Sequence, residues 1–250
     1  MMAATPALSI DRQDDCWTVA LDRERSANAL NAQIVDELLD VVAQAGARGV
    51  RVLVLRGNGR NFSAGFDFGG FEDQSEADLL LRFVRIEALL QAVSRSPCLT
   101  VGLAHGRNFG AGADIFAACQ WRIAEPGATF RMPGLAFGLV LGTRRLAALV
   151  GAEKARDILE SLATFNAEQA LACGFVRQLT AQAQWPDIVQ EARRVAGVLP
   201  PASRARLYRT LDATPDALAD ASLADLVRSA AEPGLKARMQ AYRDESQRRA

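Results

Sequence analysis

The sequence predicts an α/β protein, and two features of the chain carry this prediction. Continuous runs of β-branched and aliphatic residues at 50–57 and 99–104 are typical of strands buried on both faces of a parallel sheet. After each run come a loop rich in small residues and then a helical pattern, and this order indicates parallel crossover connections. With 250 residues, half of them hydrophobic, the chain can bury one main core plus an appendage.

The elements of the first half follow from hydrophobic patterning and from capping residues. Strand-forming residues at 7–10 and 16–21, separated by a polar run over 11–15, predict an opening hairpin. Asn31 can cap a helix whose apolar residues fall on one stripe, and Gly46 stands where that helix is expected to end. The next predicted elements are a strand at 50–57, a helix at 75–95, a strand at 99–104 and a helix at 110–120.

Beyond Gly142 the pattern becomes mainly helical. Pro200 and Pro201 mark the clearest boundary, so we expect a core over 1–198 and a C-terminal helical region over 199–250. The C-terminal region should form about three helices, the last from Gly234 to roughly Gln247. Before the boundary, helices are expected at 143–163, 166–174 and 185–198, with a short strand at 175–179.

Charge and cysteine usage exclude several classes of function. Lys plus Arg and Asp plus Glu number 29 each, so no net field favours nucleic acid. Four cysteines without CxxC spacing indicate reduced thiols, and a single histidine argues against a His-based zinc site. We therefore expect no metal and no separate cofactor.

No stretch approaches the roughly 20 apolar residues of a membrane span, and the N-terminus lacks a targeting pattern, so we expect a cytoplasmic protein without a membrane partner.

Two glycine-rich turns follow the two buried strands, at the edge of the sheet where α/β proteins bind ligands. In the first turn, Ser63 to Asp67, small residues leave the Phe66 amide free to donate a hydrogen bond. The second turn, Gly110 to Gly112, opens a helix whose first N–H groups have no partner within the helix. Two such donors converging on one oxygen would form an oxyanion hole. For either turn alone, the alternative is a tight turn that only packs a helix against a strand.

A dinucleotide-binding fingerprint is another interpretation of Gly110 to Gly112. The third glycine of that fingerprint is missing, and no acidic residue follows at the end of a strand at the right distance. Bound NAD would be needed to support this interpretation.

Six segments resemble those of the enoyl-CoA hydratase/isomerase (crotonase) family, in matching order and spacing. They are Arg23 to Asn31 (R-P-x-x-x-N-A-L-N in the family), Phe62 to Asp67 (F-x-A-G-x-D), Gly106 to Asp114 (G-x-x-x-G-G-G-x-E), Phe130 to Pro133 (F-x-x-P), Gly142 to Leu146 (G-T-x-R-L) and Ala167 to Val176 (A-x-x-A-x-x-x-G-x-V). The resemblance therefore covers nearly the whole chain.

The resemblance implies a crotonase-like spiral of ββα turns with C-terminal helices that assemble a homotrimer or a dimer of trimers. It also implies an acyl-CoA thioester as substrate, bound at an oxyanion hole formed by the amides of Phe66 and Ala111. The family usually has glycine at the second position, and alanine keeps the N–H while adding a methyl group. The other substrate-binding residues that it implies are Arg25, Ala27, Ala64, Asp67, Phe68, Gly110 and Gly134.

Two of these residues have alternative roles. The resemblance places Arg25 near the CoA nucleotide, where it would bind a phosphate group. The alternative is a solvated arginine on the protein surface. Asp67 is expected to cap the helix that follows its loop rather than to move protons.

The resemblance weakens at the catalytic carboxylates. Family hydratases carry one glutamate where this chain has Asp114 and a second where it has Gly134. Asp114 stands three residues after Ala111, so a helix points its carboxylate towards the oxyanion hole, and dienoyl-CoA isomerases of the family also use aspartate there. Gly134 argues against standard hydration and standard isomerisation, because both depend on the missing glutamate.

Glu87 is the best candidate for a replacement acid. It lies 24 residues before Ala111, a position from which dehalogenase-like members of the family present a catalytic side chain. The alternative is an exposed Glu87 paired with Arg82, Arg85 or a neighbour.

The sequence thus predicts an acyl-CoA enzyme that stabilises a thioester enolate and moves a proton at an acyl carbon, in a reaction of the isomerase or hydratase type. The second hypothesis is an inactive protein of the same fold that binds CoA esters or serves in assembly.

Overall fold

The computed structural model describes residues 7–211 and 216–248. The first elements of the described residues form a β-hairpin. Strand β1 (Leu8–Gln13) pairs antiparallel with β2 (Cys16–Leu21) through a two-residue turn. The polar run predicted as a connection therefore belongs mostly to β1. Because β1 lies at the edge of the sheet, its polar side chains reach solvent without cost to the core.

The first helix begins where its capping residue predicts. The side chain of Asn31 accepts a hydrogen bond from the Ile34 N–H at 2.9 Å, and α1 (Ala32–Ala47) buries its apolar stripe. The helix continues through Gly46, and the chain turns at Gly49 with a φ of 71° before β3 (Val52–Gly57).

The middle of the chain alternates helices with short strands. Ser75 and Asp78 form a capping box at the start of α2 (Glu76–Ser94), and β4 (Leu99–Ala104) covers the predicted residues. Then follow β5 (Arg107–Phe109), α3 (Ala111–Ala118), β6 (Trp121–Ala124) and β7 (Thr129–Arg131).

The helical stretch predicted at 143–163 is two helices. A 3₁₀ helix (Gly134–Phe137) precedes them, and Gly151, with a φ of 84°, separates α4 (Thr143–Val150) from α5 (Ala152–Ser161). The elements that follow are β8 (Phe165–Asn166), α6 (Ala167–Ala172), β9 (Gln178–Leu179) and α7 (Trp185–Ala196).

The described residues of the C-terminal region form three helices, as the sequence predicts. They are α8 (Pro201–Leu211), α9 (Asp216–Ala230) and α10 (Leu235–Arg248). Leu226 of α9 and Met239 of α10 are buried in the same hydrophobic core as the main sheet and its helices. The last two helices therefore contribute to the core that supports the site.

The main sheet has six strands in the order β1-β2-β3-β4-β6-β9, and every pairing after the hairpin is parallel. A second sheet joins β5 parallel to β7 and β7 antiparallel to β8. Because β3 and β4 are parallel neighbours, the loops that follow them start at the same edge of the main sheet. Among the helices of the described ranges, none combines the length and the apolar character that crossing a membrane requires.

Candidate active site

The two glycine-rich loops lie side by side and are joined through their backbones. Ser63 forms a parallel bridge with Asn108, in which the Phe109 N–H donates to the Ser63 carbonyl at 3.0 Å and the Ser63 N–H donates to the Arg107 carbonyl at 3.4 Å. The loop after β3 is thus bonded to β5, which leads directly into α3.

Two glycines allow this close approach. Gly65 has a φ of 87°, and a Cβ atom there would overlap the Phe109 carbonyl oxygen. A Cβ at Gly112 would lie 2.6 Å from the Ser63 carbonyl oxygen. A side chain at either position would push the two loops apart.

The backbone amides of Phe66 and Ala111 find no protein acceptor in the part of the chain that the structure describes. The Leu30 N–H donates to the Gly65 carbonyl at 2.7 Å, and the Asp67 N–H donates to the Leu30 carbonyl at 3.1 Å. Since successive amides of an extended chain point to opposite sides, the Phe66 N–H points away from Leu30. Ala111 is the first residue of α3, where an N–H has no partner within the helix. Within the described residues, neither amide has a hydrogen-bond acceptor.

Phe66 and Ala111 line one largely apolar cavity of about 90 Å³. Among the lining residues that the structure describes, Asp114 is the only carboxylic acid, and Thr143 and Tyr242 supply hydroxyl groups. Aromatic side chains form much of the remaining wall, namely Phe66, Phe68, Phe83, Phe109 and Phe137. Ala64, Gly110 and Gly134, which the resemblance implies as binding residues, also line this cavity.

The carboxyl group of Asp114 is buried, and its surroundings favour the neutral form. The side chain projects from the first turn of α3, and the residue is 3% exposed. Burial raises the pKa of Asp114 to about 8, with Arg145 opposing the shift and Glu87 adding to it. Among the described residues its Oδ1 has no hydrogen-bond partner, and it occupies the space that a side chain at Gly142 would need.

Glu87 lies beside the cavity rather than in its wall. Its Oε1 accepts a hydrogen bond from Gln91 Nε2 at 3.0 Å and lies 3.6 Å from Nη2 of Arg145. The Glu87 and Arg145 side chains are only 2% and 3% exposed. The alternative of an exposed Glu87 paired with Arg82 or Arg85 therefore does not describe this structure, while direct proton transfer by Glu87 stays a prediction.

Gly134 begins the 3₁₀ helix at the cavity wall. A Cβ atom at this position would lie 3.0 Å from the Leu139 carbonyl oxygen, which is tighter than ordinary contact. The Leu139 N–H also donates to the Gly134 carbonyl at 2.9 Å, closing a short turn. This compact turn stands at the position where the sequence resemblance implies a second glutamate.

The prediction that Asp67 caps the following helix is wrong. Its Oδ2 accepts a hydrogen bond from Arg23 Nη1 at 2.8 Å, and its Oδ1 accepts one from the Gly69 N–H at 2.9 Å. The helix that follows is capped by Ser75 instead. Asp67 thus ties the first glycine-rich loop to the Arg23 segment and does not line the cavity.

Arg25 and Ala27 lie in that same segment, on the outside of the site. Arg25 is exposed in a short 3₁₀ helix, and Ala27 ends this helix with a positive φ of 49°. The Ala64 N–H donates to the Ala27 carbonyl at 2.9 Å, so the segment packs directly against the first loop. Neither residue lines the cavity.

Arg82 and the single histidine support the first glycine-rich loop. Arg82 Nη2 donates to the Asp67 carbonyl at 2.7 Å, and its guanidinium carbon lies 3.9 Å from the centre of the Phe66 ring. His105 Nε2 forms a hydrogen bond with the Gly59 carbonyl at 2.9 Å. Arg131, at the end of β7, donates from Nε to the Leu162 carbonyl at 2.9 Å.

Three polar residues in or beside the cavity were not predicted as site residues from the sequence. Thr143 and Arg145 stand inside the G-T-x-R-L resemblance, which is the signal that points to them. Tyr242 reaches the cavity from α10, where the amphipathic pattern indicates packing but not the partner.

The fold and the cavity define an α/β protein with an apolar small-molecule pocket, two free backbone donors and one buried acid. Comparison with known proteins gives the family. Residues 11–232 match the family model for enoyl-CoA hydratase/isomerase. The chain belongs to the enoyl-CoA hydratase/isomerase, or crotonase, family.

Relatives and solved structures agree with this assignment. A Mycobacterium tuberculosis protein described as a probable enoyl-CoA hydratase is 35% identical over 202 residues, which cover 75% of this chain and 81% of that protein. A crystal structure of a Bordetella parapertussis protein described as an enoyl-CoA hydratase/isomerase is 55% identical, with a TM-score of 0.92 over 95% of this chain and 98% of that one. An enoyl-CoA hydratase from Bacillus halodurans, at 20% identity and a TM-score of 0.82 over 94% of this chain and all of that one, shares the fold. The predicted crotonase-like fold is therefore confirmed.

Proposed function

We propose that this protein binds an acyl-CoA thioester and moves a proton at a carbon next to its carbonyl group. The observation that carries the proposal is that Phe66, Ala111 and Asp114 all line one apolar cavity, two with free amides and one with a buried carboxyl group. No other carboxyl group of the described residues lines it.

The amides of Phe66 and Ala111 would bind the thioester oxygen. When a proton leaves the neighbouring carbon, negative charge develops on this oxygen, and N–H donors in a site without water stabilise that charge strongly. The N-terminus of α3 adds the positive end of its helix dipole. Because both donors belong to the backbone, the methyl group of Ala111 does not remove its donor.

Asp114 would carry the proton. Its carboxylate form takes a proton from the acyl group, and the electron pair of the broken C–H bond moves into the enolate held by the two amides. The protonated carboxyl then returns the proton to the same carbon, or to another carbon of the conjugated system. One carboxyl group is sufficient for this sequence, whereas hydration in the usual form uses two. A proton shift by a single carboxyl group, which differs from the standard isomerisation in not using a glutamate at position 134, is therefore the reaction that the site supports best.

The CoA part would lie outside the cavity, along the Arg23 segment. Arg25 is exposed there and would meet a phosphate group, while Ala27 and Asp67 hold the segment against the first loop. Ala64, Phe68, Gly110 and Gly134 would contact the acyl part through the cavity wall.

We also propose that the C-terminal region assembles the chain into a trimer or a dimer of trimers. Apolar side chains on and just before α8 are exposed in the single chain, namely Val198, Leu199, Leu207 and Leu211. Light scattering coupled to size exclusion tests this proposal, and a monomer would contradict it.

The proposed activity is tested with a panel of crotonyl-, 3-enoyl-, dienoyl- and malonyl-type CoA esters. We expect turnover of at least one ester that requires a proton shift, and a loss of at least roughly a hundredfold in Asp114→Asn. Binding of the esters without turnover of any would favour the inactive, CoA-binding alternative. Wild-type rates in Asp114→Asn would contradict the role of Asp114.

A further inference from the structure

Five aromatic side chains at the cavity form a closed cycle of ring contacts, which we call the aromatic wall. They come from the first glycine-rich loop, α2, the 3₁₀ helix and α10, and all of them line the cavity: Phe66, Phe68, Phe83, Phe137 and Tyr242. Successive ring centres are 5.3 Å apart for Phe66–Phe68, 6.4 Å for Phe68–Tyr242, 5.3 Å for Tyr242–Phe137, 6.4 Å for Phe137–Phe83 and 4.6 Å for Phe83–Phe66. Each ring therefore packs against two others of the same wall.

The rings of the aromatic wall are held in place by the folded chain itself. Phe66, Phe83 and Phe137 are buried. The guanidinium carbon of Arg82 lies 3.9 Å from the centre of the Phe66 ring, and Arg238 of α10 donates from Nε to the Phe137 carbonyl at 3.0 Å. Side chains that are already fixed lose little conformational freedom when a ligand binds, so the wall is preorganised for a group of matching chemistry.

Neighbouring rings of the aromatic wall differ in orientation. The interplanar angle is 24° between Phe66 and Phe83, and 79° between Phe66 and Phe68. Because an aromatic ring has a negative face and a positive edge, it is attracted to offset-stacked and edge-to-face neighbours beyond the effect of burying its surface. The wall offers such neighbours to an aromatic ring that enters the cavity, whereas it offers an aliphatic group burial alone.

The rest of the lining narrows the kind of acyl group further. Met132 and four leucines complete the apolar lining, and no Lys, Arg or His occurs among the lining residues that the structure describes. A carboxylate at the end of the acyl chain would therefore be buried without a positively charged partner. The cavity volume of about 90 Å³ lies below the roughly 300–1,000 Å³ of pockets for drug-sized ligands, which indicates a compact acyl group.

Phe66 sets the distance between the thioester and a ring bound at the aromatic wall. This residue supplies both a proposed oxygen-binding amide and one ring of the wall. A substrate ring that contacts the Phe66 ring is therefore separated from the thioester carbonyl by only a short spacer.

We infer that the protein selects acyl-CoA thioesters whose short acyl chain ends in an aromatic ring, and that Phe137 and Tyr242 are specificity-determining residues for this group. The inference rests on the proposed function and names the class of acyl group that the same cavity takes. Phe137 and Tyr242 carry it because they provide rings to the wall but no group to the proposed proton transfer.

Titration calorimetry with 3-phenylpropanoyl-CoA and 3-cyclohexylpropanoyl-CoA tests the inference by binding alone. The two esters have the same carbon skeleton, and only the first contains an aromatic ring. A cavity that acts by burial alone would bind the cyclohexyl ester at least as tightly, since the saturated ring has the larger apolar surface. We expect the wild-type protein to bind the phenyl ester roughly fivefold more tightly.

Variants of the aromatic wall assign this preference to its rings. Tyr242→Leu and Phe137→Leu each remove one ring and keep an apolar side chain, so each should lower the ratio of the two affinities. Tyr242→Phe keeps the ring and should keep the ratio. Because Tyr242 is only partly buried, its two variants retain the test if Phe137→Leu does not fold.

Phe165→Leu is the matched control for the loss of a buried ring. Phe165 packs against Phe130 and Phe175 in a second group of aromatic side chains, outside the cavity. The ratio of affinities in this variant should equal that of the wild type.

Equal or tighter binding of the cyclohexyl ester by the wild type, or an unchanged ratio in Tyr242→Leu, overturns the inference. Butyryl-CoA, titrated in parallel, separates this result from the proposed function. Binding of butyryl-CoA without binding of either ring-containing ester contradicts the inference alone, whereas binding of none of the three esters contradicts the proposed function as well.

Discussion

Arg145 and Glu87 form a buried ion pair beside Asp114, with 3.6 Å between Nη2 of Arg145 and Oε1 of Glu87. Their charges act on the Asp114 carboxyl group in opposite directions, since Glu87 raises its pKa and Arg145 lowers it. Glu87 can therefore act by raising the pKa of Asp114, which differs from direct proton transfer to the substrate. The two roles are separable by experiment.

Glu87→Gln should change the pH dependence of the reaction rather than abolish it. Removing the negative charge of Glu87 lowers the pKa of Asp114, so the rising limb of kcat/KM should move to lower pH. The measurement is a pH profile of both proteins with the best ester of the panel. If Glu87 itself donates a proton to the substrate, Glu87→Gln will instead lose activity at every pH.

Arg145→Met should destabilise the fold strongly. It leaves the carboxylate of Glu87 buried without its partner, which costs about 3–5 kcal/mol in comparable cases. The double variant with Glu87→Gln removes both charges and should recover much of this loss. Urea unfolding of Arg145→Met, Glu87→Gln and the double variant measures their free energies of unfolding. A double variant as unstable as Arg145→Met would show that the ion pair does not account for the lost stability.

The wild-type pH profile reports on Asp114 directly. The carboxylate form removes the proton, and the pKa of this group is raised to about 8, so kcat/KM should rise with pH and reach half of its maximum near pH 8. A profile that is flat between pH 6 and 9 would contradict the assignment of Asp114 as the base.

The same pKa has a consequence for stability. The folded protein retains the Asp114 proton from the ordinary pKa of 3.8 up to about 8, while the unfolded chain loses it near 3.8. The free energy of unfolding should therefore fall as pH rises through this window, because the unfolded state binds fewer protons. Asp114→Asn removes this dependence and should be more stable than the wild type at pH 8 by a few kcal/mol, while losing activity. Thermal unfolding at pH 5 and pH 8 measures the difference.

Gly65→Ala should damage the pair of amide donors. The added methyl group would overlap the Phe109 carbonyl oxygen, so the first loop must move away from α3. Loss of one such donor costs roughly 100- to 1,000-fold in kcat in enzymes where it has been measured. Gly127→Ala is the control, since Gly127 is exposed and a Cβ there meets nothing within 4 Å. Equal kcat values for the two variants would contradict the role of the first loop.

Local signals in the sequence predicted the elements that depend on local chemistry. Asn31 caps α1 as expected, and β4 covers the predicted residues because a continuous aliphatic run between turn signals marks a buried strand. The meeting of the two glycine-rich loops also followed from the sequence, since parallel neighbouring strands end at one edge.

Two kinds of feature were not predicted from the sequence. One is contacts between residues distant in the chain, and the other is very short strands. Asp67 binds Arg23 across 44 positions, and a local rule suggested a helix cap instead. The strands β5, β7 and β8 have two or three residues, which is too few for an alternating pattern to be recognised. The pairing of Glu87 with Arg145 depends on how α2 and α4 pack. The residues next to Glu87 and Arg145 in the sequence do not indicate this packing.

Hydrogen exchange at the acyl group tests the central claim most directly, because it needs only the two amides and Asp114. Butyryl-CoA incubated with the protein in D₂O should gain deuterium at the carbon next to the carbonyl, as followed by mass spectrometry, and Asp114→Asn should abolish the exchange. If the wild-type protein binds butyryl-CoA without exchange, or if Asp114→Asn exchanges at the wild-type rate, enolate formation by these groups is contradicted.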